Sequence, residues 1–170
     1  TTAPEAKKQA TIGYGARIIP CEPTLEARES TLEAVVNETG ATFLHPYNNA
    51  QVIAGQGTCG VELIEDADDL DAVLVPVGGG GLCSGVSIAF KSLSPGTTIY
   101  GVEPALADDA KRSLDTGIMQ PSTNPNTIAD GLKTALGTLT FPILKQNLAD
   151  ILLVSEDEIR NAMSLLWTRL

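Results

Sequence analysis

Four glycines in succession, Gly78, Gly79, Gly80 and Gly81, follow directly on the largely apolar run 71–77 and precede a helical pattern over 82–93. Lacking side chains, they bring backbone N–H groups close to a ligand in conformations closed to other residues. The helix that follows adds its unpaired first-turn amides and the positive end of its dipole. Together these groups make a site for a phosphate dianion that needs no lysine. The position fits as well, because the loop leaves the carboxyl end of a strand, where open parallel sheets bind ligands. The alternative is a merely flexible loop. A run so costly to order, set between a buried strand and a helix, argues against that. No Gly-Lys-Ser/Thr follows, so the loop is not of the Walker type, and the Gly-x-Gly-x-x-Gly spacing of dinucleotide sites is absent.

A second group is Glu103-Pro104-Ala105-Leu106-Ala107-Asp108-Asp109, at the end of a strand over 97–102. Carboxylates with a backbone carbonyl between them, on a strand-to-helix turn, suit a hard divalent cation such as Mg²⁺ or Ca²⁺. On spacing alone the commoner reading is an ordinary helix start, with Asp108 as N-cap. His45 is the only histidine; placed between a strand and Pro46, it reads as a structural hydrogen-bonding group rather than a general base. Lys7, Lys8, Lys91, Lys111, Lys133 and Lys145 occupy helical or turn contexts that suggest solvent, so none reads as a desolvated nucleophile. The acidic run Glu65-Asp66-Ala67-Asp68-Asp69 reads as a solvated turn.

These groups need a frame of alternating helices and strands. Pro4 opens a first helix that runs to about Tyr14 and is closed by Gly15. Residues 17–20 read as a short strand. Thr24 then starts a helix whose Leu32, Val35 and Val36 share one face, with Gly40 as its stop. Thr42-Phe43-Leu44 reads as a second strand, and 45–49 as a turn. The stretch 52–65 reads as helical despite its glycines. Residues 71–77 form a strand apolar enough to be covered on both faces. Further strands are expected at 97–102 and 151–154, a helix from Asp108, and a loop over 121–126. Ser155 and Glu158 have the spacing of a capping box. The alternation predicts an α/β fold with a parallel sheet, and a lobe boundary between Leu44 and Gln51.

The net charge is −10. A chain this acidic repels phosphate backbones and anionic lipid, so no nucleic acid and no membrane is expected among its partners. No stretch approaches the roughly 20 apolar residues of a membrane span. Cys21, Cys59 and Cys83 are odd in number and widely spaced, as expected of reduced core thiols in a cytoplasmic protein. Thr1-Thr2-Ala3-Pro4 has neither an initiator Met nor a signal-peptide layout, and Leu165-Leu166-Trp167-Thr168-Arg169-Leu170 stops inside a helical pattern. Both ends are expected to be cuts within a longer protein.

Several motifs occur in an order that is specific when taken together. They are Thr1-Thr2-Ala3-Pro4, Gly13-Tyr14-Gly15-Ala16, His45-Pro46, Val52-Ile53-Ala54-Gly55-Gln56-Gly57-Thr58, Val75-Pro76-Val77 with the four glycines, Gly101-Val102-Glu103-Pro104 and Thr127-Ile128-Ala129-Asp130-Gly131. Over its whole length the chain resembles the fold-type II pyridoxal-phosphate enzymes, of tryptophan synthase beta-like fold, and within them the serine racemase and serine/threonine dehydratase family.

The resemblance implies that Gly78, Gly79, Gly80 and Gly81 hold the phosphate of pyridoxal 5′-phosphate. It places Gly131 near the cofactor ring and Tyr47 near its 3′ oxygen. It implies a divalent-cation site, Mg²⁺ or Ca²⁺, of Glu103, Asp109 and the carbonyl of Ala107. It puts Ala10 and Tyr14 where some relatives contact a nucleotide effector, ATP, at a homodimer interface. Residues 1–46 would belong to the small lobe and 47–170 to the large cofactor-binding lobe. The implied substrates are serine and threonine.

The family's Schiff-base lysine lies in a Ser-Phe-Lys-x-Arg-Gly motif that this chain lacks, and is expected N-terminal to it. The serine on the opposite cofactor face and the loop cupping the substrate carboxylate are expected there too. The serine that bonds the pyridine nitrogen is expected beyond Leu170. The resemblance therefore assigns no catalytic residue to these 170 positions. The implied chemistry is removal of the Cα proton of serine, followed by its return on the other face or by loss of the β-hydroxyl to give pyruvate and ammonia. Glu-Pro-x-x-Ala-Asp-Asp favours a racemase over biosynthetic threonine deaminase. The alternatives are a catabolic threonine dehydratase (threonine ammonia-lyase) and, in a different class, a shortened non-catalytic phosphate-binding relic.

Overall fold

The computed structural model describes residues 3–67 and 69–169, with Leu25 by its backbone alone. Thr1, Thr2, Asp68 and Leu170, named above in the terminal and acidic motifs, lie outside the described residues. Internal contacts divide the chain into two units, Thr1–Leu44 and His45–Leu170.

The first unit holds two helices whose ends follow from their capping residues. Pro4, with no amide to satisfy, precedes α1 (Glu5–Gly13), and Gly15 turns the chain at φ +84°. Thr24 caps α2 (Leu25–Thr39) by accepting from the Ala27 amide at 3.1 Å, and left-handed Gly40 ends it. Leu32, Val35 and Val36 are half-buried along one stripe. Residues 17–20 and 42–44 are not strands. A strand exists through its ladder, and neither run pairs with another among the described residues; Pro20 also lacks an amide to offer.

The second unit is βα in organisation. Asn49 accepts from the Gln51 and Val52 amides and starts α3 (Ala50–Asp66). Then come β1 (Ala72–Pro76), α4 (Gly81–Leu93), β2 (Thr98–Pro104) and α5 (Asp109–Thr116). A single 3₁₀ turn (Asp130–Leu132), α6 (Thr140–Asn147), β3 (Asp150–Val154) and α7 (Glu156–Arg169) complete the unit. The strands are parallel in the order β1-β2-β3, with Val73 opposite Ile99 and Gly101 opposite Ile151. Ser155 and Glu158 form the capping box of α7: the Ser155 amide donates to Glu158 at 2.7 Å, and the Glu158 amide donates to Ser155 Oγ at 3.3 Å.

Val73, Val75, Ile99 and Ile151 line the sheet face that packs with Val86 and Phe90 of α4 and Leu144 of α6. Burial of each such side chain contributes about 1.5–3 kcal/mol. The other face differs from expectation. β1 alternates exposed and buried positions and Leu74 is 58% exposed, so β1 is covered on one face only among the described residues. The glycines of α3 have a packing reason: a Cβ on Gly85 of α4 would meet the Ile53 carbonyl and the Gly57 amide, so the two helix backbones touch. Cys83 is buried, Cys21 half-buried and Cys59 exposed; all three are free thiols, so Cys59 is not the core residue expected. Among the described residues no helix is long and apolar enough to cross a membrane.

Candidate functional site

The ladder continues one residue past β1, where the Val77 amide donates to the Val102 carbonyl at 2.8 Å. The four glycines then enter a cavity of about 400 Å³. Its walls come from the 45–49 turn (Pro46, Tyr47), α3 (Gln56), the glycine loop with Pro76 and Leu82, and residues Gly131, Leu132 and Thr134. None of these residues is charged. Gly80 adopts φ +85° as N-cap of α4, and no side chain caps that helix. Its first-turn amides are thus left for a ligand. No acceptor among the described residues pairs with the Gly79 or Gly80 amide.

Each glycine is held close by a neighbour, and Tyr47 serves two of them. A Cβ on Gly78 would lie 3.0 Å from the Gly131 carbonyl; on Gly79 it would enter the Tyr47 ring; on Gly80 it would lie 2.9 Å from Thr140; on Gly81 it would lie 2.8 Å from Tyr47 Cβ. The loop is therefore a fitted cradle, not a slack connection. A small anion such as a phosphate suits it. The side-chain-free wall and uncapped helix start have the chemistry to hold a phosphate, and Tyr47 and Gly131 bound the remaining room. His45 organises the near wall: its Nδ1 accepts from the Tyr47 and Asn48 amides at 3.2 and 2.9 Å, and its ring meets Tyr47 edge-on. That is the structural role its context suggested.

One strand over, Glu103 at the end of β2 and Asp109 at the start of α5 are each 1% exposed. Glu103 accepts from the Ala110 and Lys111 amides at 3.0 Å each, and so caps α5 across the turn. Asp108 stands at the N-cap position, but its side chain pairs with Arg112 at 2.9 Å instead. Burial pushes the Glu103 carboxyl up to about 7 against its two amide bonds, and Asp109 and Asp108 add to the rise. Asp109 is also raised, first by burial, although the nearby Ser122 hydroxyl and Arg112 oppose the shift. The Ser122 hydroxyl donates to the Lys133 carbonyl at 3.3 Å, and both Asp109 oxygens remain without a hydrogen bond.

Two buried carboxylates with two orphaned oxygens are unfavourable alone and fit a divalent cation. Ala107, whose carbonyl was expected to join them, is 4% exposed, with its amide donating to the Pro104 carbonyl at 2.8 Å. Among the described residues no group of three or more His, Cys, Asp or Glu side chains converges, so further ligands would be carbonyls or water.

The structure brings Tyr47, Gly131 and the four glycines to one cavity. Glu103, Ala107 and Asp109 stand at the adjacent strand end. Ala10 and Tyr14 belong to the first unit, at the end of α1, where Tyr14 is 90% exposed. Gln56, Thr134 and Thr140 were not singled out from the sequence. Gln56 lies inside a quoted motif, whereas Thr134 and Thr140 carry no local signal. A larger groove of about 610 Å³ lies along α3 and α4, but it is apolar and carries no titratable side chain. It is not the chemical site.

The sequence family described as pyridoxal-phosphate dependent enzyme matches residues 1–170. The serine racemase of Dictyostelium discoideum is 51% identical over 170 residues, 99% of this chain and 52% of its own length. Its crystal structure superposes with a TM-score of 0.91, covering 99% of this chain and 54% of that one. The beta-hydroxyaspartate dehydratase of Paracoccus denitrificans (strain Pd 1222) is 46% identical over 99% of this chain and 54% of its own length. The threonine deaminase of T.th. superposes with a TM-score of 0.91 at 46% identity, over 96% of this chain and 55% of that one. The chain thus spans about half the length of the relatives it matches. Its α/β fold with a parallel sheet is that of the fold-type II pyridoxal-phosphate enzymes. With the match running from end to end, the chain belongs to the pyridoxal-phosphate dependent enzyme family.

Proposed function

We propose that the full-length protein is a serine racemase that also dehydrates serine to pyruvate and ammonia, with its Schiff-base lysine supplied from outside these residues. The observation that carries this reading is the uncharged glycine cradle at the uncapped start of α4, closed by Tyr47 and Gly131. The likeness to serine racemases adds the substrate. When bound, pyridoxal phosphate supplies an electron sink that makes the Cα proton of an amino acid removable. The residues of this chain would hold and orient it: the amides of the loop and of α4 would bind the phosphate, while Tyr47 and Gly131 would confine the ring. Residues 1–46 form part of a small lobe and 47–170 part of the large one.

Glu103, Asp109 and the Ala107 carbonyl would hold Mg²⁺ or Ca²⁺, which would tie the end of β2 to α5. Ala10 and Tyr14 contact a nucleotide effector such as ATP in a homodimer. A second reading, catabolic threonine dehydratase, is supported by the likeness to threonine deaminase. Incubation of the full-length protein with L-serine and with L-threonine separates the two. D-serine together with pyruvate supports the racemase. Release of 2-oxobutyrate from threonine without D-serine from serine supports the dehydratase and overturns the first reading.

A further inference from the structure

We infer that Thr140 is a positioning residue for the phosphate cradle, fixing through the Gly79 carbonyl the direction in which the Gly80 amide points. The inference rests on the reading of residues 78–81 as the phosphate site. Thr140 opens α6, 61 residues beyond Gly79 in the chain, and is fully buried. Its hydroxyl donates to the Gly79 carbonyl at 2.8 Å and accepts from the Gly137 amide at 2.8 Å. The Gly137 carbonyl is a more distant acceptor at 3.2 Å, so the single hydroxyl proton is best placed on Gly79. The Gly79–Gly80 peptide is trans. In a trans peptide the C=O and the following N–H point in opposite directions. Drawing the carbonyl towards Thr140 therefore turns the Gly80 N–H the other way, and Gly80 lines the cavity.

Two further observations tie Thr140 to this peptide. A Cβ on Gly80 would lie 2.9 Å from both Thr140 Cβ and Oγ1, so the threonine also sets the room available to the left-handed Gly80. The turn carrying Thr140 is held independently by Asn48. Its Oδ1 accepts from the Leu139 amide at 2.8 Å and its Nδ2 donates to Thr138 Oγ1 at 3.1 Å. Asn48 is the neighbour of Tyr47, so the opposite wall of the cavity and the turn that steers the glycine loop are one connected unit. Hydroxyl loss from Thr140 frees the peptide to rotate and leaves the Gly79 carbonyl buried without a donor.

The test uses the cofactor-free full-length protein and measures the affinity of pyridoxal phosphate and of pyridoxal, which lacks the phosphate. Thr140→Val is expected to weaken pyridoxal phosphate roughly tenfold with pyridoxal little changed, as for one misdirected charge-assisted hydrogen bond. The ³¹P resonance of the bound cofactor is expected to move. Thr140→Ser, which keeps the hydroxyl, is expected to restore both values. Should the valine variant not fold, Thr140→Ala undergoes the same comparison. Equal weakening of both ligands, or no loss of pyridoxal phosphate affinity, overturns the inference. Gly79→Ala separates this failure from that of the site itself. If Gly79→Ala selectively loses pyridoxal phosphate and Thr140→Val does not, only the role of Thr140 falls. If neither substitution matters, the cradle is not the phosphate site.

Discussion

The ring of Tyr47 lies against the α-carbon of Gly79 so closely that a single methyl group there would enter it. The contact joins the turn after His45 to the loop after β1, and it makes glycine at 79 a steric requirement. Overpacking of this kind costs about 1–3 kcal/mol. Gly79→Ala is expected to lower the stability of the cofactor-free protein by that amount, and Tyr47→Ala in the same chain is expected to return part of it. Urea unfolding of the two single variants and the double variant measures the coupling.

Asp109 holds a buried carboxylate with both oxygens unpaired, so a cation should matter there more than anywhere else in the described residues. Mg²⁺ or Ca²⁺ at about one hundred times its dissociation constant is expected to stabilise the full-length protein by about 2.7 kcal/mol. In Asp109→Asn that gain is expected to vanish, with the metal-free protein no less stable than before. Thermal unfolding with the metal and with a chelator checks both parts.

Glu103 gives a pH dependence with a definite sign. Its carboxyl is raised from 4.5 to about 7 in the folded state, chiefly by burial. The folded protein therefore holds this proton more tightly than the unfolded chain does. Its contribution is complete below about pH 4.5 and is lost as pH rises through about 7. With a chelator present, stability is expected to fall by on the order of 3 kcal/mol across that window. Glu103→Gln is expected to flatten the profile, as read from urea midpoints at several pH values.

Gly85 lies where α3 and α4 touch backbone to backbone. Neither neighbour is a flexible side chain, so Gly85→Ala has nothing soft to displace. A destabilisation at the upper end of about 1–3 kcal/mol is expected. Gly96, with open space around its α-carbon, is the control, and Gly96→Ala is expected to cost little.

The sequence made the helices of both units and the strands of the second legible through periodicity and punctuation. The strand before the glycines, the helix after them, the Thr24 and Gly40 caps and the Ser155–Glu158 box are all local signals, and each stands within a residue or two of its expected place. The strands expected at 17–20 and 42–44 are absent because a strand needs a partner, and apolar β-branched residues do not say where that partner is. α6 was not expected from the sequence; its Pro142 sits in the first turn, where its missing amide costs nothing. The acidic motif was visible, but its division of labour was not. Glu103 reaches seven and eight residues along the chain to cap α5, so Asp108 does not have to. Thr140 lies beyond any local reading, because its importance is a contact 61 residues away.

The most direct test of the central claim is the binding of pyridoxal phosphate and pyridoxal to the cofactor-free full-length protein, with inorganic phosphate as competitor. Two or three charge-assisted hydrogen bonds from the loop and the start of α4 are expected to favour the phosphorylated ligand by about one hundredfold. Phosphate is expected to compete, and Gly79→Ala to remove the preference. Equal binding of the two ligands, or a preference that survives Gly79→Ala, would contradict the assignment of glycines 78–81 as the phosphate cradle.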